Sequence, residues 1–159
     1  MSDSPKNSDQ KTSPRITRFT QENGFGFLSN FHTSTIYIDG KSYPTVEHAI
    51  QAHKTTDPET REIIRKANSP GQAKNLGHAI PMRNDWMEVR IPLMRQFLRK
   101  KFENPFLRPL LLGTGDAELI NENSYNDRFW GICRGIGENW LGKLLMEVRE
   151  ELKNSKDSE

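Results

Sequence analysis

Three dipeptides, Asp57-Pro58, Ser69-Pro70 and Asn104-Pro105, constrain this chain more than any other feature of its sequence. Each sets a side chain that can accept from backbone N–H groups directly ahead of a proline. Proline's fixed φ suits the first helical turn, and the N–H it lacks would go unbonded there anyway. The chain is thereby divided into short helices with set starting points. Thr45 opens a further one over residues 45–54. Residues 85–102 are helix-rich, with Pro92 expected to break or kink the run near Arg90. A last helix is expected over residues 139–152, with Leu141, Leu144, Leu145, Val148 and Leu152 on its apolar side.

Strand signals are sparser. Residues 36–43 read as two short strands joined by Asp39-Gly40, a dipeptide that favours the left-handed backbone of a tight turn. A short strand is expected over residues 118–120, followed by an irregular segment reaching Trp130. The expected fold is α+β, a mainly helical single domain with a small antiparallel sheet. A chain of 159 residues suits one core. Residues 1–15 and 153–159 are polar and lack hydrophobic periodicity, so they are expected as disordered tails around a domain over residues 16–152.

Charge is nearly balanced, with 23 Lys and Arg against 21 Asp and Glu. No general field favours nucleic acid or an anionic membrane. The single cysteine, Cys133, excludes an intramolecular disulfide and a cysteine-rich zinc cluster, which fits a reducing compartment. No apolar run is long enough for secretion or for a membrane span, so the expected location is cytoplasmic.

The helix over residues 45–54 is the richest in chemistry. At about 100° per residue, Glu47 and Lys54 project in nearly the same direction, about 10 Å apart along the axis, with Gln51 between them. Val46, Ala49 and Ile50 form the apolar face, which puts the Glu47, Gln51, Lys54 stripe at the border of the buried surface, where it could line a cleft. A plainer account is available: Thr45 caps the helix, and Glu47 and Lys54 complement the two ends of its dipole.

Other polar groups stand in aromatic company. Asn30 lies within Phe27-Leu28-Ser29-Asn30-Phe31, Trp86 starts a helix, and Asp127 precedes Arg128-Phe129-Trp130. A pocket for a planar base needs rings to stack on it and amides or carboxylates to read its edge. The same residues also fit core packing, favoured for Trp140, and Asx turns for Asn30 and Asp127. The glycine-rich stretch 131–139 leads into a helix and could present N–H groups to a phosphate, with Arg134 as a clamp. It matches neither a dinucleotide fingerprint nor a P-loop, and its glycines also suit a tight turn. His48 and His53 point about 140° apart on a helix, so they cannot share a metal. No metal or organic cofactor is expected. Cys133 reads as a lone buried thiol, and Arg95, Arg99, Lys100 and Lys101 as a solvated helix face.

The ordered set Phe27-Leu28-Ser29-Asn30-Phe31, Asp39-Gly40, Tyr43-Pro44-Thr45-Val46-Glu47-His48, Gln51-Ala52-His53-Lys54, Trp86, Lys101-Phe102, Asn126-Asp127-Arg128-Phe129-Trp130-Gly131 and the run over residues 139–149 resembles the NADAR, or YbiA-like, family. The resemblance spans residues 16–152. It implies hydrolysis at C1′ of a ribose-containing nucleotide: removal of an aminopyrimidine from ribose phosphate, an early riboflavin-pathway intermediate, or of ADP-ribose from guanine. The family's acid maps to Glu47, its lysine to Lys54, and its later positions to Trp86, Asp127 and Trp130. Under that reading Glu47 is a general acid and base, a role worth roughly 10² to 10⁴ in rate. Lys54 could attack C1′ and hold the opened sugar as a Schiff base. Asp127 would orient a ribose hydroxyl or that lysine, and Trp86 and Trp130 would stack on the base. The partner is a small nucleotide substrate or ADP-ribosylated guanine in nucleic acid. The alternative is a non-catalytic NAD or ADP-ribose binding module, which would need the aromatic and anion-binding groups but not both Glu47 and Lys54. Two departures from the family pattern, Cys133-Arg134 in the glycine loop and Ala49-Ile50 after Glu47-His48, fall at the mouth of the expected pocket and bear on substrate choice.

Overall fold

The computed structural model describes residues 14–156, and most of the helix signals act where their chemistry puts them. Thr45 accepts from the His48 amide at the head of α1 (Val46–Ala52). Asp57 accepts from Thr60 ahead of α2 (Pro58–Arg65), and Ser69 from Gln72 ahead of α3 (Pro70–Ala79). Such caps are each worth about 0.5–2 kcal/mol.

Two proline signals play out differently. Asn104 accepts from the Phe106 amide at 2.8 Å but closes only a turn. α5 (Arg108–Leu112) starts after it, with Pro109 in its first turn. Pro109 has no N–H to bond back to the Pro105 carbonyl, so a regular ladder cannot begin at Pro105. In the other direction, α4 (Trp86–Lys101) runs through Pro92 without the expected break. One hydrogen bond is lost there, while Met94, Phe97, Leu98 and Lys101 downstream are all buried and hold that half of the helix to the core. Each buried apolar side chain contributes roughly 1.5–3 kcal/mol, enough to offset the missing bond.

The hairpin forms as expected. β2 (Ile36–Ile38) pairs antiparallel with β3 (Lys41–Tyr43), and Asp39 and Gly40 between them have φ of 51° and 77°. The other strands are parallel pairs: β1 (Arg15–Ile16) with β4 (Glu118–Leu119), and β5 (Glu122–Asn123) with β6 (Ile132–Cys133). Among the described residues the α+β, mainly helical architecture therefore carries three two-stranded ladders, of which only the hairpin is antiparallel. α6 (Trp140–Lys156) continues past Leu152, so residues 153–156 of the expected tail are helical. Arg15 belongs to a strand as well. Residues 1–13 and 157–159 of the expected tails lie outside the described residues.

α1 is the centre of the fold. All seven of its residues are buried, and α2, α3 and α4 pack around it. α4 packs in turn on α6, and Arg95–Glu147 and Arg99–Glu151 pairs at 2.6 and 2.5 Å join their outer edges. The basic run on α4 is thus not simply a solvated face. Lys101 is only 1% exposed, and its Nζ donates to the Ser29 carbonyl at 2.8 Å. Burial pushes its amine down to about 7. Cys133 is buried, as expected, whereas Trp140 is half-buried, its ring 6.4 Å from that of Phe129. No helix among the described residues is long and apolar enough to cross a membrane.

Candidate active site

Backbone contacts build a cavity against the polar side of α1. The 3-10 turn Gly26–Leu28 leads into Ser29 and Asn30, and the Asn30 carbonyl accepts from the Glu47 amide at 3.1 Å. α3 crosses α1 with Gly77 facing Gln51. The irregular segment between β5 and β6 closes the remaining side. These walls enclose about 280 Å³, lined by Asn30, Glu47, Gln51, Lys54, Asp127 and Trp130 among others.

Glu47 is not at a border of the buried face, because α1 is buried all round; its side chain is 8% exposed. Gln51 Nε2 donates to Glu47 Oε1 at 2.8 Å. Burial raises the Glu47 carboxyl above its ordinary range and the nearby Asp127 adds to this, while the Gln51 bond, Lys74 and Lys54 oppose it. Lys54 lies beyond the helix, which ends at Ala52 with His53 as its cap; its N–H donates to the Gln51 carbonyl at 3.2 Å in a turn. It still reaches the cavity. Burial lowers its amine below the ordinary value, Lys74 lowers it further, and Glu47 and Asp127 work the other way. An acid pushed up and an amine pushed down therefore share one wall. Neither forms an ion pair among the described residues.

Asp127 serves two ends. Its Oδ1 accepts from the Trp130 and Phe129 amides at 2.9 and 3.2 Å, the Asx turn that its position suggested, and its side chain also lines the cavity. Asn30 does not bond its own backbone. Its Nδ2 donates to Met94 Sδ at 3.6 Å, and its Oδ1 is buried with no partner among the described residues. Gln51 Oε1 is in the same condition. Gln51 Oε1 packs against Gly77 of α3, so Asn30 Oδ1 is the acceptor left to a ligand, and a buried acceptor left unpaired costs about 1–3 kcal/mol.

Trp86 and Arg134 are the two expected binding residues that the structure does not bring to this cavity. Trp86 is 5% exposed and belongs to the hydrophobic core. Arg134 sits in the tight turn after β6, at φ 52°, beside a neighbouring cavity. Where the glycine-rich stretch enters α6, several N–H groups are already bonded to protein. The amides of Glu138, Trp140 and Leu141 donate to the carbonyls of Arg128, Phe129 and Trp130. The start of α6 is thereby already satisfied. His48 and His53 are structural: His48 Nδ1 meets Thr45 Oγ1 at 2.8 Å, and His53 Nδ1 meets the Ala49 carbonyl at 2.7 Å.

The polar lining residues that the sequence reading did not place in the site include Lys74, His78 and Tyr125. Lys74 and His78 are four apart on α3 and so share a face, a signal present in the sequence. Tyr125 lies in an irregular loop that carries no such signal.

Comparison with known proteins decides the family. The NADAR domain family matches residues 18–153.

The chain belongs to the NADAR domain family. It is 43% identical over 141 residues to N-glycosidase YbiA of Escherichia coli strain K12, covering 86% of this chain and 88% of that protein. An N-glycosidase of Nostoc punctiforme is 41% identical over 137 residues, covering 82% of this chain and 87% of its own length. A riboflavin biosynthesis protein of Vibrio vulnificus is 40% identical over 139 residues, which are 85% of this chain and 38% of that larger protein. The NMR structure of E. coli YbiA superposes with a TM-score of 0.82 at 40% identity, covering 93% of this chain and 90% of the other. The expected α+β fold and the expectation of an enzyme acting on N-glycosyl compounds agree with these NADAR relatives.

Proposed function

We propose that this NADAR chain hydrolyses the bond between C1′ of a phosphorylated ribose and the nitrogen of an aminopyrimidine, with Glu47 as acid and base and Lys54 as the group that engages C1′. One observation carries the reading: the raised Glu47 carboxyl and the lowered Lys54 amine line the same cavity. A module that only held ADP-ribose would have no use for that pair.

The chemistry balances with these two side chains and water. Protonated Glu47 gives its proton to the leaving nitrogen as the C1′–N bond breaks, a contribution of roughly 10² to 10⁴ in rate. The neutral fraction of Lys54, enlarged by burial, attacks C1′, and as one of the amine's protons passes to the ring oxygen the C1′–O bond breaks and the sugar opens to a protonated Schiff base. Glu47, now a carboxylate, takes a proton from the water that adds to C1′. The amine leaves and the sugar aldehyde is released. Asp127 orients a ribose hydroxyl or Lys54, Trp130 stacks on the base, and the unpaired oxygen of Asn30 accepts from a hydroxyl or amino group of the substrate.

The riboflavin names among the relatives support a ribosylamino-pyrimidine phosphate ahead of ADP-ribosylated guanine, which the same residues would serve. The test is a product assay by mass spectrometry on both compounds. The expected product is a free base that retains its amino nitrogen. A base that has lost that nitrogen, or no release from either compound, overturns the reading.

A further inference from the structure

We infer that the phosphate-bearing end of the substrate occupies a second chamber, walled by Arg18 and Arg134, that opens from the catalytic cavity at Tyr125. The identity of the ligand rests on the N-glycosidase reading above; the chamber itself does not.

The catalytic cavity, about 280 Å³, falls just short of the range of about 300–1,000 Å³ usual for small-molecule sites. A sugar and a base fill it. Beside it lies a chamber of about 570 Å³, and Ser29, Asn121 and Tyr125 line both. The two therefore adjoin along these three residues. Tyr125 is 61% exposed, and Lys74 Nζ stands 4.0 Å from its ring centroid.

Charge separates the two halves. In the catalytic cavity Lys54 and Lys74 are matched by Glu47 and Asp127, and Lys74 is already engaged with the Tyr125 ring. In the second chamber Arg18 and Arg134 outnumber its one carboxylate, Glu122, which approaches Arg18 at 3.9 Å. Arg134 makes no hydrogen bond or ion pair among the described residues. Its backbone is nonetheless fixed, because the Cys133 and Ile136 amides each donate to the other residue's carbonyl, at 2.9 and 3.1 Å, and tie its turn shut. A guanidinium presents its donors as a planar fork that matches phosphate oxygens, and it stays charged at any working pH. The hydroxyls of Thr20 and Ser124 complete the lining. An anion attached to the sugar by a short arm thus meets an excess of positive charge on passing Tyr125 out of the catalytic cavity.

The test compares wild type with Arg134→Asn, Arg18→Gln and Lys74→Met. Asparagine tolerates the left-handed backbone at position 134, so the charge is removed without strain. Two readouts are taken. In the first, KM for a ribosylamino-pyrimidine phosphate is expected to rise about tenfold or more in each arginine variant, with kcat little changed. KM for the same compound without its phosphate should stay at the wild-type value. An equal rise for both compounds, or a selective rise in Lys74→Met alone, overturns the inference. In the second readout, ribose 5-phosphate and ADP-ribose are titrated calorimetrically without turnover. Weaker binding of either ligand to the arginine variants supports the chamber even if no base is ever released, and shows whether it takes a monoester, a diphosphate or both. Binding unchanged in the variants, or absent in wild type, overturns it.

Discussion

Gly77 on α3 faces Gln51 on α1 so closely that a methyl group added at Gly77 would stand 2.9 Å from Gln51 Cβ and collide with its Oε1. Gln51 in turn donates to Glu47 at 2.8 Å. The glycine therefore sets the approach of two helices and, through one side chain, the environment of the proposed acid.

Gly77→Ala should shift Gln51 and break its bond to Glu47. Alanine gains up to about 1 kcal/mol in helix propensity, but the overpacking costs about 1–3 kcal/mol, so the midpoint of thermal unfolding should fall. The Gln51 bond holds the Glu47 carboxyl down. Its loss should move the Glu47 limb of the pH–rate profile upward. A lower melting point with an unmoved profile would reduce Gln51 to a packing residue.

Glu47→Gln should be more stable than wild type at neutral and alkaline pH. The carboxyl is raised in the folded state by burial. Between its unfolded and folded values the native state holds a proton that the unfolded chain has lost, so this group's contribution to stability falls as pH rises through that window. Glutamine removes the penalty. Urea unfolding at pH 4 and pH 8 checks the sign: the advantage of Glu47→Gln should be larger at the higher pH.

Asp127→Asn and Asp127→Ala separate the two jobs of that side chain. Asparagine retains the oxygen that accepts from the Phe129 and Trp130 amides. It should keep stability within about 0.5 kcal/mol while losing activity, whereas alanine should also lose about 0.5–2 kcal/mol with the cap. Full activity in the folded asparagine variant would leave Asp127 a purely structural residue.

Borohydride added during turnover should reduce a Schiff base on Lys54 and add the mass of the sugar phosphate to the protein. Lys54→Met should show no adduct. An adduct of equal yield in Lys54→Met would move the covalent step elsewhere, and no adduct in wild type would remove it.

Much of this arrangement is legible from residue order because it is local. Thr45, Asp57 and Ser69 cap helices through bonds to amides three residues on, and Asp39-Gly40 turns the hairpin by backbone preference alone. The Glu47 and Gln51 stripe follows from helical spacing. What was not legible depends on which elements meet. Lys101 looks like its solvated neighbours Arg99 and Lys100 until α4 packs against the Ser29 turn and buries it. Trp86 and Trp130 are both aromatics beside polar residues, and only the packing sends the first into the core and the second to the cavity. The parallel ladders pair residues far apart in the chain through two-residue contacts too short to leave a pattern.

The central claim is that Glu47 and Lys54 form one catalytic site for N-glycoside cleavage. It is tested most directly by measuring base release from a ribosylamino-pyrimidine phosphate by wild type, Glu47→Gln and Lys54→Met, each first checked for its folded state by circular dichroism. The expected result is steady release by wild type and a drop of roughly 10² to 10⁴ in rate in each variant. Undiminished release by either folded variant would contradict the account.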